Sequence, residues 1–444
     1  MQLRHNRYMT KKPNSEAVNW NLDDILPEHE FDQLYKEIEI DMKRYTDWQR
    51  RLTPDMAEAD FQAYFSWNFA LSEKMARLYT RPSLAESIDS KSAEARHNKP
   101  RALDLAVRLQ ELARPVSMWL KGKAVDGMQV LDDVNARRLF ACVEGMEYTL
   151  TYAREMARHT LSQAEESIIS HKDATGTSAL TDLRDMIETD FTYELEIDGK
   201  KEAYETSEEL KSGIYSSDAV RREATYKALF APYVRDEDKF FKIYQSVVKD
   251  WAYEADLRGY SSPIGMRTAA NQVSDKAIEA LMKVCEEERG VYHDFFRWKA
   301  GELGLKKLQR YDLYAPLTET KAEYSYDDAK ALVLDSFERY SADFASKARQ
   351  ILEECHIDSH PASTKRSGAF CAAITPSMTP YVMTNFAGKS RDVSTLAHEL
   401  GHGVHDIYAG HLPIGSHHPN LPLAETASTF GEMLLFEALL NKTS

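Results

Sequence analysis

Cysteine is scarce in this chain, and long apolar runs are missing. The four cysteines among 444 residues, Cys142, Cys285, Cys355 and Cys371, are widely spaced and form no CxxC pair. That argues against a disulfide framework and makes a reducing cytoplasm the expected location. No apolar stretch approaches the ~20 residues that a bilayer-spanning helix needs, so no membrane partner is expected. The N-terminal segment 1–19 is polar and basic and has no signal-peptide core. Positive charge is the minority sign: 56 Lys and Arg against 71 Asp and Glu leave a formal net charge of −15. Phosphate backbones require clustered cations, so no nucleic-acid partner is expected either. There is no internal repeat and no low-complexity segment, and oligomeric state is not legible.

What is present is a globular share of hydrophobic residues, 43%, on a chain too long for one ordinary core. Helical periodicity dominates. Segments 31–48, 59–78, 102–119 and 132–157 read as amphipathic helices, with breaks at Arg81-Pro82 and Asn98-Lys99-Pro100. Phe191, Tyr193, Leu195 and Ile197 then alternate with polar residues and run into Asp198-Gly199, the signature of a β-hairpin. The expected organisation places a boundary there, with a helical lobe over 1–195 and a catalytic lobe over 196–444. Helical patterns resume over 208–257, 276–303 and 326–354.

The chemistry is concentrated near the C-terminal end. His398-Glu399-Leu400-Gly401-His402 is an HExxH pentapeptide. On a helix, residues four apart lie within ~40° of each other, so both imidazoles can face one metal ion, with Glu399 beside them to act on a water. Leu396, Leu400, Val404 and Ile407 recur at helical spacing, Asp392 reads as the N-cap, and Gly410 as the stop. Gly401 and Gly403 weaken such a helix by roughly 1 kcal/mol each, a cost tolerated where something must approach the backbone closely. Twenty-seven residues after His398, Glu425 opens a polar stripe with Ser428, Thr429 and Glu432 on an otherwise greasy helix that begins near Pro422. A carboxylate there is costly to bury unless paired or bound to metal. Glu425 is therefore the expected third ligand, and Glu432 a carboxylate behind a ligand histidine.

Blander readings compete. On a solvated face HExxH would be an accident of polar composition, but Leu396, Ala397 and Leu400 imply a buried setting. The pattern HExxHxxGxxH is excluded because positions 405 and 408 hold His405 and Tyr408. His405 shares the face of His398 and His402 and is expected to line the cleft or stand behind the ligands. His417 and His418 are expected in a solvated loop or rim. The segment 380–386 reads as a short β element beside the motif helix. Its edge could pair an extended peptide across the metal, or it could be buried within a small sheet.

Taken together, Gly368-Ala369-Phe370-Cys371, Pro380-Tyr381-Val382, the stretch from Thr395 to His402, and Ala424 to Phe430 resemble the oligoendopeptidase F branch of the thimet-oligopeptidase-like metallopeptidases. The segments Trp20 to Pro27 and Tyr311-Asp312-Leu313-Tyr314 extend the resemblance over most of the chain. It implies a mainly α, two-lobed, mostly helical zinc metallopeptidase around a deep channel, with a small β element beside the active-site helix. It also implies one Zn²⁺ held by His398, His402 and Glu425, Glu399 as general base, and short peptides as substrates. Gly368, Ala369, Tyr381 and Val382 would then contact substrate. Members of that branch carry tyrosines and a histidine for the substrate carbonyl well downstream of HExxH, whereas this sequence runs to Ser444, 42 residues past His402. The alternative expectation is thus a zinc-loaded peptide-binding remnant with impaired catalysis.

Overall fold

The computed structural model describes residues 18–318 and 323–443. The polar segment up to residue 17 lies outside them. The fold is mainly α. Helices α1 (Phe31–Asp41), α2 (Arg44–Arg51), α3 (Glu58–Ile88), α4 (Ala93–Leu120), α5 (Asp133–Ala141) and α6 (Glu147–Glu155) surround a first core built on Phe61, Leu78, Leu105 and Trp119. The expected breaks at Pro82 and Pro100 do not occur: α3 and α4 run through both prolines. An internal proline costs ~3 kcal/mol. Leu78, Arg81 and Leu84 around Pro82 are all buried, and packing at ~1.5–3 kcal/mol per large apolar side chain outweighs that cost. Arg81 adds ion pairs to Asp23 Oδ1 (2.8 Å) and Glu94 Oε1 (2.7 Å), tying the N-terminal turn to two helices.

Helices α7 (Gln163–Thr175) and α8 (Thr177–Thr189) follow, and then the hairpin of β1 (Tyr193–Ile197) and β2 (Lys200–Tyr204). Its turn residues Asp198 and Gly199 have φ of 50° and 75°, the double positive φ that a two-residue hairpin turn of matching twist requires. Phe191, Tyr193 and Leu195 share a small core with Leu210 and Ala228. A boundary between 195 and 196 would therefore cut β1 itself. We propose that the two lobes part outside this hairpin.

Helices α9 (Ser207–Lys211), α10 (Ala219–Arg235), α11 (Glu237–Leu257), α12 (Pro263–Ala270), α13 (Asp275–Glu287) and α14 (Arg289–Glu302) lead to the last part. There α15 (Tyr326–Tyr340), α16 (Ala342–Glu353), α17 (Ser390–Ala409) and α18 (Leu421–Thr443) enclose a further core around Phe337, Ile351, Leu396 and Leu400. Between the first core and this one stands a three-stranded sheet of β3 (Ile357–Asp358), β4 (Phe370–Ala372) and β5 (Tyr381–Met383), in the order β3-β5-β4. β5 pairs parallel with β3 and antiparallel with β4, Val382 facing both Ile357 and Cys371 in register. Alternation along β5 sends Tyr381 and Met383 into the first core and Val382 into the other, so one strand serves as the wall between them. Among the described residues no helix is long and apolar enough to cross a membrane.

Candidate metal centre

Helix α17 presents His398 and His402 one turn apart, their ring centroids separated by 4.9 Å. Helix α18 crosses it closely because the crossing is glycine on both sides. A Cβ on Gly401 would stand 2.8 Å from the Ala427 carbonyl oxygen, and one on Gly431 would stand 2.6 Å from that of Ala397. Gly403 faces the Ile351 side chain of α16 instead. The motif glycines thus accept close neighbours, as their cost to the helix implies. The start of α17 differs from expectation. The helix begins at Ser390, and Asp392 lies in its first turn, accepting from the backbone N–H of Ala387 (3.0 Å) and Lys389 (2.9 Å). A carboxylate there satisfies free donors and complements the helix dipole without being the N-cap.

The crossing brings Glu425 Oε2 to 3.4 Å from His398 Nε2 and 3.9 Å from His402 Nε2. One ligand atom from each of the three residues lies within 4.8 Å of the others. Glu432, two turns further along α18, places Oε1 2.6 Å from His398 Nδ1. With Nδ1–H donating to that carboxylate, the Nε2 lone pair points towards Glu425. Fully buried Ser428 donates to Glu425 Oε2 at 3.0 Å and fixes the second carboxylate. Burial lowers the pKa of His402, and the neighbouring His398 adds to the shift, so the neutral imidazole is favoured. Burial pushes the Glu399 carboxyl up to about 7, with Glu425 and Glu432 adding to the shift and His398 opposing it.

His398, Glu399 and Glu432 open into a cavity of about 560 Å³ that Gly368, Ala369 and Tyr215 also line. Two of the four residues expected to contact substrate are thus placed at the cavity, and two are not. Tyr381 and Val382 are fully buried, both edges of β5 are paired, and the Tyr381 hydroxyl donates to the Asn21 carbonyl at 2.9 Å. No edge of β5 is left for a peptide. His405 is half-buried and does not line this cavity, and burial disfavours its charged form. His417 is buried rather than solvated, its ring centroid 4.0 Å from that of His418 with the planes tilted by 43°, and its pKa falls to about 4 through burial.

The sequence model described as Peptidase family M3 matches residues 213–444. The chain belongs to that family. Among its relatives, the oligoendopeptidase F homolog of Lactococcus lactis subsp. lactis (strain IL1403) is 24% identical over 84% of this chain and 62% of its own length. Oligopeptidase PepF of Bacillus subtilis (strain 168) is 22% identical over 95% of this chain and 62% of its own. The chain therefore spans about three fifths of the length of these relatives. A crystal structure of a putative oligoendopeptidase F from Bacillus anthracis str. Ames superposes with a TM-score of 0.73 at 15% identity, covering 96% of this chain and 72% of that one, which shows a shared fold. The resemblance to the oligoendopeptidase F branch of the M3 family, drawn from short motifs, is thereby borne out.

Sequence reasoning about this M3 chain missed Arg391 and Tyr215 at the cavity, the crossing role of Gly431, and the contact of the partly buried Cys371 thiol with Asp406 Oδ2 at 3.7 Å. Gly431 alone left a signal, as a glycine inside a helix two turns beyond Glu425.

Proposed function

We propose that the chain is a zinc-dependent oligopeptidase in which His398, His402 and Glu425 hold the metal and Glu399 is the general base. The observation that carries the reading is the convergence of two imidazole Nε2 atoms and one carboxylate within 4.8 Å, with Glu432 behind His398. The donor set fits. Zinc at ~2.1 Å from each ligand would separate them by ~3.4 Å, close to the 3.4 and 3.9 Å found. Zinc bound there would polarise a peptide carbonyl and acidify a water. Glu399, about 100° round the helix from His398 and about 60° from His402, and raised to about 7, suits proton transfer near neutral pH. Its carboxylate takes the proton of the attacking water and passes it to the leaving amine. Glu432 keeps the proton on Nδ1 of His398, and Ser428 holds Glu425 in place.

Short peptides are the proposed substrates. β4 is an edge strand, and Gly368 and Ala369 just before it line the cavity, so an extended peptide can pair there through backbone hydrogen bonds. This moves the proposed substrate edge from β5 to β4. The test is chelator-sensitive hydrolysis of an internally quenched peptide of roughly ten residues, with zinc content measured on the same sample. Glu399→Gln is expected to keep zinc and lose turnover. Turnover retained in that variant would remove Glu399 as the base, and a protein that takes up no zinc would remove the metal centre.

A further inference from the structure

We infer that Arg391 is a specificity-determining residue that binds a carboxylate of the peptide about three residues from the bond being cleaved. The inference rests on the peptidase reading above. The cavity that opens at His398 and Glu399 runs along one face of α17, past Thr395 and Ser394, to Arg391 in the first turn. Seven residues separate Arg391 from His398. On an α-helix that interval turns the side chains to within ~20° of each other and spaces them ~10 Å along the axis. An extended peptide rises ~3.3 Å per residue, so the same ~10 Å corresponds to about three residues of substrate lying along the helix.

Charge divides the cavity in the same sense. Carboxylates gather at the histidine end, where Glu399 and Glu432 line the wall, whereas Lys389 and Arg391 stand at the start of α17, and Lys211 also lines the cavity. Lys389 Nζ already lies 3.2 Å from Glu323 Oε1. The one acid beside them, Asp392, accepts two backbone N–H groups of the helix start. Arg391 is different. It is exposed, stands beside the Tyr215 hydroxyl, and among the described residues takes part in no ion pair with a carboxylate. A guanidinium presents a planar fork of donors that matches a carboxylate in two-point contact. A peptide offers that group in two places, at its free C-terminus or on an Asp or Glu side chain.

The experiment separates these sources and does not depend on turnover. Fluorescently labelled ten-residue peptides are titrated with the zinc-loaded Glu399→Gln chain, and binding is read by anisotropy. Three peptides share one sequence: one with a free C-terminal carboxylate, one amidated, and one amidated with Asp three residues beyond the cleaved bond. At least one carboxylate peptide is expected to bind about fivefold tighter than the plain amide, the advantage of a well-formed exposed ion pair. Adding Arg391→Gln should bring the ratio to near one, and Arg391→Lys should keep part of it. Which of the two acids gains affinity identifies the source. A ratio near one in the parent, or a ratio that survives Arg391→Gln, overturns the carboxylate site and leaves the peptidase reading standing. Failure of all three peptides to bind overturns both.

Discussion

Replacing Gly401 with alanine should weaken zinc binding far more than it weakens the fold. The added Cβ would meet the Ala427 carbonyl oxygen at 2.8 Å and Ser428 Cα at 3.0 Å, where ordinary contact begins near 3.4 Å. Both neighbours are backbone, so no side-chain rotation relieves the contact, and α17 and α18 must part by about 0.6 Å. Overpacking of this kind costs ~1–3 kcal/mol, and alanine's better helix propensity returns ~1 kcal/mol, leaving a loss of ~0–2 kcal/mol. The metal centre has less tolerance. The same displacement carries Glu425 and Glu432 away from His398 and His402, and metal–ligand distances tolerate only ~0.2 Å. Disturbing the support of a ligand set typically costs ~10–100-fold in affinity. Zinc affinity measured by chelator competition should therefore fall by about that factor, with only a small drop in the urea midpoint. Gly431→Ala strikes the same crossing from the other helix, so the double variant should lose less than the sum of the two. Gly401→Ala with unchanged zinc affinity would refute the idea that this close crossing sets the ligand geometry.

Glu425→Ala should lower the zinc bound after dialysis, whereas unchanged zinc content would refute its assignment as a ligand. Glu432→Gln should weaken zinc binding by ~10–100-fold in the same chelator competition, because the amide is a poorer partner for His398 Nδ1 than the carboxylate now at 2.6 Å. Asp312→Ala should destabilise the chain by about 3–5 kcal/mol in urea unfolding. It strands Arg222, which is 3% exposed and donates to Asp312 Oδ1 at 2.8 Å.

The metal-centre candidates were legible because each leaves a local mark. His398 and His402 sit at helical spacing, and Glu425, Ser428 and Glu432 form a polar stripe on an otherwise apolar helix; the burial cost expected for Glu425 does not apply, since its side chain is 56% exposed. The hairpin at Asp198-Gly199 was equally local, since a two-residue turn with positive φ selects its own residues. The errors came where tertiary packing overrides local preference. Pro82 and Pro100 should end helices, yet buried neighbours on both sides carry the helices through. Val382 and Tyr381 carry the pattern of a strand, but no pattern in a short strand says whether its edges are free, and here β3 and β4 occupy both.

The cavity wall was illegible for a different reason, and that reason bears on how specificity is built. Tyr215, Gly368 and Arg391 lie far apart in sequence and meet only because the turn after α9, the residues just before β4 and just after β5, and the first half of α17 converge on one space. The proposed ligands come from two adjacent helices, so the proposed metal centre is specified by local spacing plus one close contact. The cavity wall proposed for recognition is specified by the packing of distant segments and has no compact signature. Substitutions at 391 or 215 can therefore alter which peptide is held without touching the residues proposed to carry out the hydrolysis. Substitutions at Gly401 or Gly431 do the reverse, disturbing the proposed metal centre through a helix crossing that does not line the cavity.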